Sequence, residues 1–288
     1  MHVSLDSALG RQRRLNSVGE SVLQIAPSAA AAYSLRSLTG GDPKVVRVRR
    51  DTGGGAGDND EQDFTASGIS SGALVDFVGS GNDGFVETWY DQSGNGNNLT
   101  RLVASSQPTI VSGGSLILNA DGHAGVGLRR DTSGSSLLIF DSGIDIINSH
   151  SFQYVEFQRT FGYTLTSSTA GGSNRIGYIS SNNLQIKRGG NTNVDSGLTT
   201  TIDNPLLYTT FLAADGSASN VHVNGSERLN SVLGDGTGNT TFSSIGRGDN
   251  DSAVGKFILI SELIIYASDQ SANRTALETN MNSHYSIF

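Results

Sequence analysis

The chain has 288 residues, of which 36% are hydrophobic and only 16% charged, with 37 glycines, 4 prolines and no cysteine. The lack of cysteine excludes disulfide frameworks, thiolate nucleophiles and thiolate zinc sites, and a formal net charge of -8 argues against a nucleic-acid partner, which needs surplus lysine and arginine. No apolar run approaches the length of a membrane span, and the first residues do not form an export signal. We therefore expect a soluble chain with no membrane partner.

The N-terminal segment is the best helical candidate, because leucine and valine recur through residues 4–24 at spacings that line one side of one or two short helices. A basic cluster lies within it. A solvated helix face explains this cluster without any partner. Alternatively, residues 1–28 form an arm that anchors the body, residues 29–288, to an acidic surface of another protein. The assembly candidates are Arg11, Arg13, Arg14 and Leu15.

The stretch from Asp51 to Asp63 is rich in glycine and acidic residues and is predicted to be a loop. Its Asp58-Asn59-Asp60-Glu61 run offers clustered oxygens, which a calcium ion favours. The remaining ligand spacing of an EF-hand loop is absent. A mobile loop is the favoured interpretation, and no cofactor is expected.

Short apolar segments separated by glycine- and asparagine-rich turns fill the rest of the chain, and no long helix alternates with them. This pattern predicts an all-β sandwich or jelly roll. Short helices are expected at Ser70 to Val78, capped by Ser70 or Ser71, and at Ser271 to Tyr285, capped by Ser271. The predicted strands are residues 45–50, 85–90, 108–111, 116–118, 136–140, 151–157, 174–179, 184–187, 206–213, 220–223, 240–245 and 256–266.

The most informative stretch runs from Trp89 to Asn98. A strand that ends in Trp89 and Tyr90 and enters an Asp-Gln-Ser-Gly-Asn-Gly turn needs glycines for left-handed backbone, and its Asp and Asn side chains can bond the turn's own amides. A second interpretation is that Trp89 or Tyr90 stacks on a sugar beside polar groups that bind hydroxyls. The carbohydrate-binding candidates are Trp89, Tyr90, Asp91, Gln92, Asn95 and Asp249.

Three blocks together resemble the catalytic domain of α-L-arabinofuranosidase B. The resemblance covers roughly residues 29–288 and implies a concanavalin A-like jelly roll. The chain also resembles relatives of this domain in tailed-phage and prophage structural proteins, in which a short N-terminal arm precedes the sandwich. The blocks are Ala32 to Arg36 with Val46 to Arg50, Thr88 to Thr100, and Ile245 to Asn250 with the element from Tyr266 to Tyr285.

The same resemblance bears on catalysis. It implies that Asp249 occupies the position of the family's general acid, whereas the stretch nearest to the family's nucleophile, Leu184 to Asn191, contains no carboxylate. A retaining glycosidase needs two carboxyl groups about 5 Å apart. Asp195 remains an alternative nucleophile. Without it, one carboxyl group of the required pair is missing, so we expect no enzymatic activity.

The first hypothesis is therefore a non-enzymatic structural or attachment protein of a tailed-phage virion, as a tail fibre, neck appendage or capsid decoration. It is expected on the particle surface or tail, as a homo-oligomer, with a trimer favoured by analogy. Its partners are other virion proteins through the arm, and host-surface glycans. A second hypothesis is a glycosidase acting on arabinose-containing glycans with Asp249 as its acid, and a third is a carbohydrate-binding module that uses Trp89.

Overall fold

The alternating apolar segments form antiparallel strands in a computed structural model, which describes residues 20–131, 134–145, 148–158, 163–166, 175–178, 183–187, 194–199, 204–214, 217–232, 241–246 and 256–288. Every strand pairing in these ranges is antiparallel. None of the helices in these ranges is long and apolar enough to cross a membrane.

Helices are few and short. They are α1 (Val22–Ile25), α2 (Ala66–Ser70), α3 (Ala73–Val78) and α4 (Arg274–Tyr285), with 3₁₀ turns at Ala104–Ser106 and Ser271–Asn273. The strands are β1 (Ala31–Ser34), β2 (Lys44–Asp51), β3 (Glu61–Thr65), β4 (Asp83–Trp89), β5 (Leu99–Thr100), β6 (Thr109–Ser112), β7 (Ser115–Leu116), β8 (Val126–Asp131), β9 (Gly134–Ser135), β10 (Leu138–Asp145), β11 (His150–Gln158), β12 (Tyr163–Thr166), β13 (Arg175–Tyr178), β14 (Asn183–Lys187), β15 (Val194–Thr199), β16 (Pro205–Leu212), β17 (Ala218–Val223), β18 (Ser226–Val232), β19 (Thr241–Ile245) and β20 (Lys256–Tyr266).

Strand β20 organises the first sheet. It pairs with β11 on one side and, on the other side, with β8 near its start and β1 near its end. From β11 the sheet continues through β16 and β17 to β18. The order is therefore β18-β17-β16-β11-β20, followed by β8 and β1 sharing the next position.

The second sheet has the order β3-β2-β4-β5-β10-β19-β12-β13-β14-β15. Strand β6 pairs with both β4 and β8, so it joins the two sheets along one edge. The chain crosses repeatedly from one sheet to the other, as Greek-key and jelly-roll sandwiches do.

The main hydrophobic core lies between the two sheets. Phe152 of β11 meets Phe242 of β19 edge to face, with ring centroids 5.7 Å apart. Tyr33, Trp89 and Tyr154 are fully buried in the same cluster of side chains. Because one cluster draws side chains from strands of both sheets, the predicted all-β sandwich is confirmed.

Helix α4 covers the outer face of the first sheet. Its Met281 and Tyr285 bury against Val155 and Leu207 on neighbouring strands, and its Leu277 joins a second cluster with side chains of β20. Burial of apolar side chains stabilises this contact, at about 25 cal/mol for each Å² removed from water. The predicted C-terminal helix is therefore part of the body of the protein.

The short helix α1 packs on this same face. Val22 and Ala26 are fully buried and share a cluster with Leu277 of α4. Residues 20–28 thus contact the sandwich directly. Residues 1–19 lie outside the described ranges, and the boundary between an arm and a body at residue 28 stays a prediction.

The predicted helix from Ser70 to Val78 is wrong in its start and its cap. The structure has two short helices, α2 and α3, and α3 follows Gly72, whose φ of 89° lies in the left-handed region. Thr65 caps α2, because its hydroxyl accepts a hydrogen bond from the Gly68 amide at 3.2 Å. A left-handed glycine ends one helical turn and lets the next begin in a new direction.

The predicted cap of the C-terminal helix is also wrong. Ser271 begins a 3₁₀ turn, and α4 starts after Asn273. The loop predicted to reach Asp63 is shorter, since β3 begins at Glu61. The predictions also omitted several strands, among them β3, β5, β8, β9, β12, β15 and β18.

Candidate functional site

Trp89 and Tyr90 stand at the end of β4, where a sugar-stacking face was predicted. The Trp89 side chain is 0% exposed and packs against the Tyr33 ring with centroids 5.9 Å apart. The half-buried Tyr90 donates its hydroxyl to Asp63 Oδ1 at 2.8 Å. Burial and this bond raise the pKa of Tyr90 to about 12. The prediction that Trp89 stacks on a sugar is wrong, because its ring has no accessible face.

Asp91 is bound on both carboxylate oxygens. Its Oδ1 accepts hydrogen bonds from the amides of Ala32 at 2.8 Å and Ser93 at 2.9 Å. Its Oδ2 accepts from the Ser93 hydroxyl at 2.8 Å and the Asn97 amide at 3.1 Å. These four bonds form the predicted Asx turn and also tie it to β1.

Gln92 and Asn95 serve the backbone in the same way. The buried Gln92 donates from Nε2 to the carbonyl oxygens of Ser34 and Arg36, both at 3.0 Å, and accepts from the Leu38 amide at 2.8 Å. Asn95 is exposed, and its Nδ2 donates to the Ala29 carbonyl at 2.8 Å. The polar side chains of this turn are therefore engaged in holding it.

We call residues 89–98 the β4 turn. Its glycines at 94 and 96 have φ values of 91° and 72°, as the structural interpretation requires. Tyr33 donates its hydroxyl to the Asn97 carbonyl, so the turn is anchored to the core from below. The structure supports the structural interpretation of this stretch over the sugar-stacking one.

The remaining catalytic and assembly candidates are only partly described. Asp249 lies outside the described residues, as do the assembly candidates Arg11, Arg13, Arg14 and Leu15. The register of β14 and β15 places Asp195 directly opposite Gln185, in the stretch compared with the family's nucleophile. A carboxylate residue is therefore adjacent in the sheet to the position that lacks one.

Glu156 is a buried carboxyl that the sequence analysis did not single out. It is 1% exposed and accepts hydrogen bonds from the Thr164 hydroxyl and the Gln158 amide, both uncharged groups. Burial raises the pKa of Glu156 to about 7. The Thr164 carbonyl also accepts from the Gly246 amide, so Thr164 contacts both Glu156 and the end of β19.

The acidic run considered for calcium is occupied by internal contacts. Asp58 accepts from the Thr52 amide at 2.8 Å, and Asp60 forms an ion pair with Arg50 at 2.6 Å. No group of three or more histidine and acidic side chains suited to a metal ion is found within the described ranges. These contacts favour a structural role for the loop.

A cleft of about 480 Å³ opens on another part of the surface. We call it the Asp42 cleft. Its walls come from four segments that are far apart in sequence, and none belongs to the strand that precedes Asp249. It is lined by Leu35, Arg36, Ser37, Gly41, Asp42, Ala66, Ser67, Ile69, Ser70, His123, Ala124, His284 and Tyr285.

One wall of the cleft carries an exposed carboxylate. Asp42 accepts from the Ser67 hydroxyl at 2.6 Å and the Ser67 amide at 2.8 Å. Those two bonds lower the pKa of Asp42. The carboxylate is thus held in a fixed position and faces solvent.

The opposite wall carries a buried ion pair. Arg36 donates from Nε to Glu262 Oε2 at 2.6 Å and from Nη2 to Glu262 Oε1 at 2.9 Å. Nη2 also donates to Asn280 at 3.0 Å. The Glu262 side chain is 0% exposed and its Oε2 accepts from the Tyr285 hydroxyl at 3.1 Å. A bidentate pair of this kind fixes both side chains.

Two histidines complete the rim. The rings of His123 and His284 lie 5.4 Å apart, and each packs against Tyr285. Although the His284 residue as a whole is exposed, these ring contacts and the nearby Arg36 lower its pKa to about 4. His284 is therefore uncharged at neutral pH.

This cleft was not predicted from the sequence, because its lining residues lie far apart in the chain. Arg36 and Glu262 are 226 positions apart. One signal was present in the Ala32 to Arg36 block, which the resemblance singled out for its fold. Nothing in that block identifies Glu262 as the partner of Arg36.

No protein-family model matches the chain, and no curated protein matches its sequence. Solved structures are similar in fold. An arabinofuranosidase complexed with arabinofuranosyl-α-1,2-xylobiose has a TM-score of 0.60 at 14% identity, covering 92% of this chain and 64% of that chain. A GH54 α-L-arabinofuranosidase mutant soaked with 4-nitrophenyl α-L-arabinofuranoside has a TM-score of 0.63 at 13% identity, with the same coverage.

The binding domain of botulinum neurotoxin DC, in complex with rat synaptotagmin II, has a TM-score of 0.50 at 14% identity, covering 68% of this chain and 49% of that chain. This chain thus spans under two thirds of each of these structures. At such identities the comparisons show the fold. The chain is a β-sandwich whose fold is similar to those of these arabinofuranosidases and of this neurotoxin binding domain.

Proposed function

We propose that this chain is a non-catalytic attachment protein of a tailed-phage virion, which binds host-surface glycans through the Asp42 cleft. The cleft is the observation that supports glycan recognition. Small-ligand sites combine an apolar surface with a few fixed polar groups. Here the half-buried Ala66 and Ala124 provide apolar surface, while the exposed Asp42 and Ser70 provide acceptors and donors for sugar hydroxyls.

The carboxylates of the described lining residues support recognition without hydrolysis. Among those residues, Asp42 is the only one with a carboxylate. Glu262 lies behind Arg36 and is fully buried, with its carboxylate bound to that guanidinium and to Tyr285. A glycosidase needs two carboxyl groups on either side of the scissile bond, and the cleft offers one.

The virion role rests on the resemblance to phage structural proteins and on the basic cluster at Arg11, Arg13 and Arg14. We propose that this segment binds an acidic surface of a neighbouring virion protein and that the chain forms a trimer. Because Val22 and Ala26 are buried against the body, the cleanest truncation removes residues 1–19 only. The truncated protein should stay folded but fail to join the particle. Normal incorporation would contradict the anchor.

The glycan-binding role is tested with the purified full chain on an array of bacterial surface polysaccharides and defined oligosaccharides. We expect retention of at least one glycan class, and its loss in Ser70→Trp, which fills the cleft. The control is Ser71→Trp, a neighbouring exposed position outside the cleft lining. Equal retention by both variants would place binding elsewhere.

A second candidate function is hydrolysis of arabinose-containing glycans, with Asp249 as acid. Its support is the register that brings Asp195 opposite Gln185. It predicts turnover of an aryl arabinofuranoside that is lost in both Asp249→Asn and Asp195→Asn. No turnover across a panel of aryl glycosides would leave the recognition proposal standing.

A further inference from the structure

The charges around the Asp42 cleft do not cancel. Within the described part of the lining, Arg36 is the only lysine or arginine, and its guanidinium is neutralised by the fully buried Glu262 in a bidentate ion pair. Arg36 Nε and Nη2 donate to Glu262 and Asn280, and the paired carboxylate offsets the charge of the guanidinium. Arg36 therefore adds little net positive charge to the cleft.

His284 adds no positive charge to the cleft at neutral pH. The ring contacts with His123 and Tyr285 keep water from the imidazole, and together with the neighbouring Arg36 they lower the pKa of His284 to about 4, so its ring is neutral at neutral pH. Glu262 and His123 are the other titratable groups that act on it. Protonation of His284 would place a second cation beside Arg36, which is unfavourable.

Asp42 is then the charge that a ligand meets. Its carboxylate is exposed, and its bonds from Ser67 favour the ionised form. A fixed acceptor of this kind binds sugar hydroxyls and repels a second carboxylate or a sulfate. Two like charges held close together at a protein surface repel each other, because water screens them only in part.

We infer that the Asp42 cleft selects uncharged sugar residues and rejects acidic ones such as sialic acids, uronic acids and sulfated sugars. This inference rests on the proposed glycan recognition and names its ligand class. Specificity here comes from a repulsive element, Asp42, set beside an otherwise neutral surface. The half-buried side chains of Ala66 and Ala124 supply the apolar part of that surface.

The test compares matched pairs of oligosaccharides that differ only in a terminal sialic or uronic acid, at pH 7.5 and low salt. The full-length protein should retain the neutral member at least about tenfold better. Asp42→Asn removes the charge and keeps the shape, and it should reduce that preference to near unity. Asp76→Asn, which removes an exposed carboxylate from α3 outside the cleft, should leave the preference unchanged.

Each outcome separates this inference from the proposed function. Binding with equal or greater affinity for the acidic member overturns the inference but leaves glycan recognition intact. Preference for the neutral member that persists in Asp42→Asn also overturns it, because the selection would then not depend on that carboxylate. No binding to any glycan overturns the proposed function and this inference with it.

Discussion

The β4 turn and the Asp42 cleft use the same local chemistry for different ends. In each, an aspartate accepts hydrogen bonds from the amide and the hydroxyl of one serine: Asp91 from Ser93, and Asp42 from Ser67. Asp91 accepts two further amides and is half-buried. Asp42 lies exposed in a cleft.

The two aspartates differ in how many further hydrogen bonds their carboxylate oxygens can accept. A polar side chain whose acceptors are filled by backbone amides stabilises the fold, and one that is fixed but exposed can bind a ligand. Residue type and spacing do not distinguish a structural aspartate from a ligand-binding one, whereas the hydrogen-bond partners of the carboxylate do.

The largest effect on stability is expected in the hydrophobic core next to the β4 turn. Trp89→Ala should lower the free energy of unfolding by about 4 kcal/mol, since it removes a fully buried aromatic side chain. Urea unfolding followed by circular dichroism measures it. A loss under about 1 kcal/mol, combined with weaker glycan retention, would restore Trp89 as a sugar-binding residue.

The next largest effect on stability is expected at the ion pair between Arg36 and Glu262. Arg36→Met should cost about 3 kcal/mol, because it leaves the buried Glu262 carboxylate without its cation. Its control is Arg47→Met, which breaks partly exposed pairs with Glu61 and Asp63 and should cost less than about 1 kcal/mol. Equal costs in urea unfolding would show that Arg36 is not the buried partner described here.

A third carboxyl group, that of Glu156, is buried and accepts its hydrogen bonds from uncharged groups. Its pKa is raised from 4.5 to about 7, so folding is favoured by its protonated form, and that contribution is lost as the pH rises from 4.5 through 7. Glu156→Gln should therefore raise stability by about 3 kcal/mol at pH 8 and change it little at pH 4.

The measurement is the difference in unfolding free energy between Glu156→Gln and the parent chain at several pH values. Taking the difference removes the contributions of other titrating groups, such as His284. A difference that does not change between pH 4 and pH 8 would contradict the raised pKa of Glu156.

The smallest stability effect is expected at the turn itself. Asp91→Asn keeps one acceptor oxygen but turns an amide towards the Ser93 hydroxyl and the Asn97 amide, which are both donors. We expect a loss of about 2 kcal/mol. Asp76→Asn, at an exposed carboxylate on α3, should change stability by less than about 0.5 kcal/mol.

Much of the fold follows from the sequence, because strand alternation and turn residues are local signals. The segment 256–266 was predicted as a strand, and it forms β20 with the same bounds. The β4 turn was recognised from its glycines and Asx residues, and its structural interpretation agrees with the contacts of Asp91 and Gln92. The buried position of Trp89 depends on which strands face each other, which no local pattern specifies.

The cleft was not predictable for the same reason. Asp42 and Ser67 are 25 positions apart, and His123 reaches His284 across the sequence only once the sandwich is closed. Helix starts were also misjudged, since Thr65 and Asn273 compete with nearby serines that have equal local preference for a cap. Tertiary packing decides between them.

The central claim is that the cleft, and not the β4 turn, is the recognition site. Glycan retention is compared between Ser70→Trp and the double variant Tyr90→Phe, Asn95→Ala, which changes a half-buried and an exposed sugar-binding candidate of the turn. Ser70→Trp should abolish retention, and the double variant should bind like the parent chain. Retention that survives Ser70→Trp and disappears in the double variant would contradict it.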